Sequence, residues 1–305
     1  MMNWRSYSLL FLTALIWGIS NVPQKNVLQF IGPLTAVGLR CLLASIVVLP
    51  FAWKAKQNFS QIKSSGKFLA FATALSFALA LTLTQIGIGH TSVINTSFFI
   101  NTWTVITPIC VWVLQGVKPA RFLIPAAALS LAGTFLMAGG TLDAMTIGDV
   151  LCLLAAFVYS VWAICLNEFV RRFDGALFIS LFQFAVAGGL CLSIGFLSEP
   201  LNLQNMYNAA PDLLILGVFS TGLGYVLQAI AQAKVTSSVS AVILSMEAIF
   251  GAVGGILFLD ESFTTLTFFG AAMVLGGVIL VQLTCGAEQV LKPKPDICPN
   301  RPQAI

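Results

Sequence analysis

Two charged side chains stand inside otherwise uncharged apolar stretches, and both could do chemistry. Glu247 lies near the middle of the run from Ser237 to Leu259, and Arg40 lies in the run from Gly32 to Trp53. A carboxylate at bilayer depth is costly, so it is retained where it faces a polar cavity or a partner. As a structural group, Glu247 would hydrogen-bond a neighbouring helix. As a functional group, it would bind a cation or take up a proton. Arg40 would snorkel to the interface, hydrogen-bond backbone carbonyls at an outer gate, or attract an anionic group. A direct Arg40–Glu247 pair is a further alternative.

Other polar and aromatic residues recur within the apolar stretches. Trp17 and Asn21 lie in the first, Gln85 in the third, and Asn95, Asn101 and Trp103 in the fourth. Tyr159 and Trp162 follow in the sixth, Gln183 in the seventh, and Tyr225 and Gln228 in the eighth. Each alone reads as interhelical glue. Together with Arg40 and Glu247 they predict a substrate-binding or gating cavity, partly aromatic and partly hydrogen-bonding, suited to a small amphipathic metabolite.

Other chemistries find little support. The single histidine, His90, has no visible partners for a triad or a metal site. The seven cysteines form no CxxC pair and read as small apolar core residues. There is no Walker A sequence, so ATP-driven transport within the chain is not expected. No catalytic residue, cofactor or metal is expected. An intramembrane enzyme would need paired carboxylates, or a nucleophile with its base, at bilayer depth.

The elements that carry these residues follow from composition. Only 9% of the 305 residues are charged and 58% are hydrophobic, with a mean hydropathy of +0.94. A soluble domain carries roughly a quarter charged residues, so a lipid-facing surface is implied. About 20 apolar residues cross a bilayer as a helix, and helices satisfy every backbone polar group internally. Ten spans are predicted: 6–24, 32–53, 68–87, 92–114, 122–139, 149–167, 176–197, 211–231, 237–259 and 264–284. The first is not read as a signal peptide, because Trp17–Asn21 is polar and aromatic where a small-residue cleavage site belongs. In a ten-span arrangement, thirteen of the fifteen Lys and Arg fall on one side. Lys25 is on the other and Arg40 is within a span. The positive-inside rule makes the basic side, and with it both termini, cytoplasmic.

An internal repeat is visible. Residues 101–136 align without gaps on 245–280, and Thr91-Ser92 recurs as Thr236-Ser237. The turn is basic in the first copy (Lys118, Arg121) and acidic in the second (Asp260, Glu261). Five spans per copy is an odd number, so the second copy enters the membrane inverted, the usual construction of secondary transporters. The halves are 1–142 and 143–285, followed by a disordered cytoplasmic tail, 286–305. Gly251 and Gly255 give a close-packing GxxxG spacing, and Pro23 and Pro108 are candidate kinks.

These residues resemble the EamA-type transporters of the drug/metabolite transporter superfamily. The resemblance rests on Leu15–Asn21, on Pro33–Ala44 with its Arg40, on Gly148–Ile164, and on Glu247 followed by Asp260-Glu261-Ser262 and a Gly-rich last span. It departs where Ala248 follows Glu247 and where Val117-Lys118 replaces an acidic turn. The resemblance implies an all-α polytopic protein of the cytoplasmic membrane, with spans 5 and 10 peripheral. It also implies secondary transport of a small metabolite, amino-acid-like or another amphipathic compound, by alternating access, with export as the direction. The expected partners are a small-molecule substrate and the lipid bilayer, with proton coupling and homodimer formation as open alternatives. No nucleic acid is expected. A channel or an intramembrane enzyme is the competing reading.

Overall fold

The computed structural model describes residues 4–54, 64–140, 145–200, 202–259 and 264–288. The acidic turn at Asp260 and Glu261 and the tail beyond 288 lie outside these residues. Among the described residues every regular element is helical. The chain runs through α1 (Trp4–Asn26) with a short 3-10 turn, Val27–Gln29, then α2 (Pro33–Lys54) and α3 (Ser64–Gly89). It continues through α4 (Val93–Asn101), α5 (Trp103–Gln115), α6 (Leu123–Met137), α7 (Ile147–Phe173) and α8 (Ala176–Ser198). α9 (Leu203–Leu214) leads through a π-helical stretch, Ile215–Gly224, into α10 (Tyr225–Gln232). The described chain closes with α11 (Ser237–Leu244), α12 (Glu247–Leu259) and α13 (Thr265–Glu288).

Among the described residues, eight helical segments are long and apolar enough to cross a membrane. The expected fifth and ninth spans are the two shorter apolar segments. α6 has 15 residues, about 22 Å at 1.5 Å per residue, against a hydrocarbon core of about 30 Å. The ninth is interrupted at Ser245-Met246 rather than continuous. The fourth is likewise divided, at Thr102. Pro108 lies within α5 and does not set that interruption.

The two interruptions fall at corresponding places. The offset that aligns 101–136 with 245–280 carries Thr102 onto Met246. It also carries Ser92 onto Thr236, one residue out of register with the match of Thr91-Ser92 to Thr236-Ser237, and both residues cap their helices. Ser92 Oγ accepts from Asn95 N at 3.0 Å, and Thr236 Oγ1 accepts from Val239 N at 3.4 Å. Each cap satisfies an amide that would otherwise lack a partner in an apolar medium.

Helix packing follows a matching scheme. α2 packs on α8 and α6 on α13. α3 packs on α7, and α1 correspondingly on the π-helical stretch and α10. α7 also meets α4 and α5, as α1 meets α11 and α12. Small residues permit the closest crossings. A Cβ on Gly133 would sit 2.5 Å from the Gly270 carbonyl oxygen, so α6 and α13 pair back to back. A Cβ on Gly18 would sit 2.7 Å from both Glu247 O and Gly251 N, so the start of α12 is pinned against α1. Gly251 of the expected GxxxG spacing therefore packs as expected. The surroundings of Gly255 lie outside the described residues.

An aromatic cluster occupies the centre. Phe77 meets Tyr225 at 4.8 Å and Trp162 and Phe184 at 5.6 Å each. Large apolar side chains also cover the outside, Trp53 and Leu197 being 79% and 86% exposed. That is the surface of a protein solvated by lipid. The described cysteines are unpaired and mostly buried.

Candidate functional site

Glu247 opens α12 directly after the Ser245-Met246 interruption. Its carboxylate faces a cavity of about 60 Å³ whose wall includes Trp17, Asn21, Arg40, Trp103, Tyr159, Trp162 and Tyr225. These are residues the sequence singled out. Gln24, Thr84, Thr96, Ser97, Ile100 and Ser220 complete the lining. The sequence signals available for these were weak, since single Ser, Thr and Gln residues are common in apolar helices.

Glu247 Oε1 accepts from Asn21 Nδ2 at 3.4 Å, and the same amide reaches Ser97 Oγ at 3.4 Å. Arg40 is almost wholly buried, at 1% exposure. It does not snorkel, and its bonds among the described residues go to side chains. Its Nε donates to Thr221 Oγ1 at 2.8 Å, Nη1 to Gln24 Oε1 at 3.3 Å and Nη2 to Ser220 Oγ at 3.4 Å. Arg40 and Glu247 form no ion pair with each other. Among the described residues the ion pair is Arg172–Glu168, far along α7. The cavity therefore holds a guanidinium and a carboxyl group, each partnered by neutral groups.

The π-helical stretch explains how Arg40 is held. Widened helical turns alter which groups a helix presents and often occur at functional sites. Here Ser220 and Thr221 turn their hydroxyls to the guanidinium. The Ser220 carbonyl accepts from Trp17 Nε1 at 3.0 Å, which fixes the indole plane. Trp17 then lies against Tyr225 at 4.6 Å between ring centroids. The Tyr225 and Tyr159 hydroxyls are 3.2 Å apart. Trp103 and Trp162 meet Tyr159 edge-on at 6.3 and 5.9 Å.

Five of the residues singled out in the sequence lie off this wall. Gln85 Nε2 donates to the Gln24 carbonyl at 2.9 Å, so it braces a residue that braces Arg40. Gln183 Oε1 accepts from Trp162 Nε1 at 2.9 Å and orients that indole. Asn101 Nδ2 reaches Thr134 Oγ1 at 3.2 Å, joining α4 to α6. Asn95 lies at the start of α4, where its backbone amide donates to Ser92 Oγ. Gln228 is fully buried, and neither of its amide atoms has a partner among the described residues.

A larger groove of about 460 Å³ runs along Thr35, Leu192, Ser193, Phe196 and Leu197. It carries no charged side chain, and Phe196 and Leu197 are among the most exposed apolar groups. It is a furrow in the outer surface between α2 and α8.

The fold and cavity together define a polytopic helical membrane protein with a polar site buried among its spans. The family model for the EamA-like transporter family matches the chain twice, over residues 4–139 and 146–283, and the chain belongs to that family. It is a membrane transporter. It is similar to an uncharacterized transporter of Archaeoglobus fulgidus, 26% identical over 277 residues, covering 90% of this chain and 84% of that one. It is also similar to uncharacterized transporters of Methanothermobacter thermautotrophicus and Clostridium kluyveri. Each is 23% identical over 90% of this chain, covering 85% and 92% of those proteins. A crystal structure of another protein superposes with a TM-score of 0.74, covering 94% of this chain and 99% of that one. At 12% identity that likeness concerns the fold.

Proposed function

We propose that this protein is a secondary transporter that carries a small zwitterionic, amino-acid-like metabolite across the cytoplasmic membrane by alternating access, in the direction of export. The observation that carries this reading is the unpaired presence of Arg40 and Glu247 in one aromatic-walled cavity. An ammonium group would sit between Glu247 and the aromatic faces, where ring quadrupoles add to the attraction. A carboxylate would reach the Arg40 side. The tryptophan and tyrosine surfaces suit an apolar side chain between them. The cavity, at about 60 Å³, is well below the roughly 300–1,000 Å³ of a ligand-holding pocket. Loading it therefore requires the helices to move apart, as alternating access demands.

Two inverted five-helix halves, 1–142 and 143–285, are the proposed moving parts. The double family match, the paired caps at Ser92 and Thr236, the paired interruptions and the exchange-symmetric packing all support this division. Inverted repeats rocking about a midplane site are a recurrent transporter design. Cytoplasmic termini follow from the basic residues, and proton coupling through Glu247 and a homodimeric assembly extend the proposal.

The test is flux in proteoliposomes with labelled amino acids, nucleobases and cationic dyes, with and without a pH gradient. Saturable flux of a zwitterion is expected. Flux of cations alone, with zwitterions excluded, would overturn the assignment of Arg40 to a carboxylate.

A further inference from the structure

We infer that Gln183, Gln228 and Gln232, with the Ser180 hydroxyl, line the inner passage that connects the Arg40–Glu247 cavity to the end of the protein bearing Arg171 and Lys234. The inference rests on the transport reading and names the path on one side of its site.

The first observation is an unusual concentration of buried polar groups without partners. Both amide atoms of Gln228 and both of Gln232 are unpartnered among the described residues, as are Gln183 Nε2 and the hydroxyls of Ser180 and Ser240. All five residues are fully buried. Buried polar groups in folded proteins are nearly always hydrogen-bonded, so a cluster of exceptions calls for a reason. Leu or Met in place of these glutamines would remove the desolvation penalty at similar volume.

The second observation is their alignment. Tyr225, Gln228 and Gln232 follow one another at spacings of three and four residues, which places them on one face of α10. Tyr225 lines the cavity, so the face that meets the cavity continues away from it as two amides. Gln183 and Ser180 are likewise one turn apart on α8. Gln183 reaches the cavity wall through its bond from Trp162 Nε1. α8 and α10 pack against one another.

The direction is set by Asn167. Its Nδ2 donates to the carbonyls of Gln232 and Val235 at 2.6 and 2.8 Å, so the end of α10 lies beside the end of α7. That end carries Arg171, Arg172 and Lys234. Beside the cavity, Phe77 meets Trp162, Phe184 and Tyr225, and Trp162 meets Tyr225; Trp162 and Tyr225 also line the cavity. This aromatic cluster closes the passage in the present conformation. Neutral amides and hydroxyls beyond it would hydrogen-bond water and the polar groups of a departing or arriving solute. With no charge of their own, they would hold neither strongly.

Gln228→Cys and Gln232→Cys, each in a protein whose seven native cysteines are replaced, would be exposed to a membrane-impermeant maleimide in inside-out and right-side-out vesicles. Both positions are expected to react at least tenfold faster from the face bearing Arg171 and Lys234. No reaction at either position in the native protein, with full reaction after denaturation, would assign the glutamines to static packing and overturn the passage. Reaction only from the opposite face would also overturn it. A second measurement uses Gln228→Leu, for which flux should fall at least fivefold without a drop in melting temperature. Undiminished flux would overturn the assignment. Labelling requires no transported solute, so sided reaction together with absence of flux for every compound tested would reject the transport reading while supporting the passage.

Discussion

Arg40 Nε donates to Thr221 Oγ1 across 2.8 Å, joining α2 to the π-helical stretch between α9 and α10. The bond belongs to a buried charge whose other two contacts, to Gln24 and Ser220, are longer. It is thus the firmest tie holding the guanidinium at the cavity wall. Thr221→Val keeps the side-chain shape and removes the acceptor. Hydrogen bonds to charged groups contribute about 1.5–3 kcal/mol each, so the variant should unfold at lower temperature in detergent. Arg40→Lys, which loses the planar fork, should lower saturable flux at least tenfold. Wild-type flux in Arg40→Lys would show that a point charge suffices.

Glu247 is the carboxylate of the cavity wall, held by Asn21 alone among the described side chains. Glu247→Gln keeps a hydrogen-bonding group there but cannot exchange a proton. Flux driven by a pH gradient should vanish while the protein stays folded by melting analysis. If gradient-driven flux is unchanged, Glu247 is not the coupling group.

Glu199 caps α2 from the end of α8. Its Oε1 accepts from Leu34 N at 2.8 Å, and Oε2 from Thr35 N and Thr35 Oγ1 at 2.8 and 2.7 Å. Loss of a helix cap costs about 0.5–2 kcal/mol. Glu199→Ala should therefore lower the melting temperature measurably, and Glu199→Gln should lower it less, because its amide oxygen still accepts. Equal stability of all three proteins would show that the cap contributes nothing net.

The Tyr159–Tyr225 hydroxyl pair predicts a coupling. The bond described for each hydroxyl is the one to the other. Tyr159→Phe strands the buried Tyr225 hydroxyl and should cost about 1–3 kcal/mol, as should Tyr225→Phe for the Tyr159 hydroxyl. The double variant should be no worse than Tyr159→Phe, and a double-mutant cycle on melting data measures the coupling.

The sequence by itself determined the membrane class, because no folding of a chain with 9% charged residues and repeated apolar runs could present a water-compatible surface. It also singled out Glu247 and Arg40, each a charge within an apolar run, and both line the buried cavity. The gapless match of 101–136 with 245–280 was legible too, and its offset carries the Ser92 cap onto the Thr236 cap. Hydropathy does not read rotation about the helix axis. Gln85 and Asn101 looked as cavity-facing as Asn21 and Tyr225, and only packing turned them elsewhere, to Gln24 and Thr134. The interruptions at Thr102 and Ser245-Met246, and the π-helical stretch that carries Ser220 and Thr221 to Arg40, carry no strong local signal. Beside one of them, the start of α12 packs closely against Gly18, a contact that only the assembled structure shows. In lipid every helix is apolar on most sides, so burial of apolar surface cannot choose the facing side. Steric fit and the pairing of a few polar groups make that choice, and both exist only in the assembled structure.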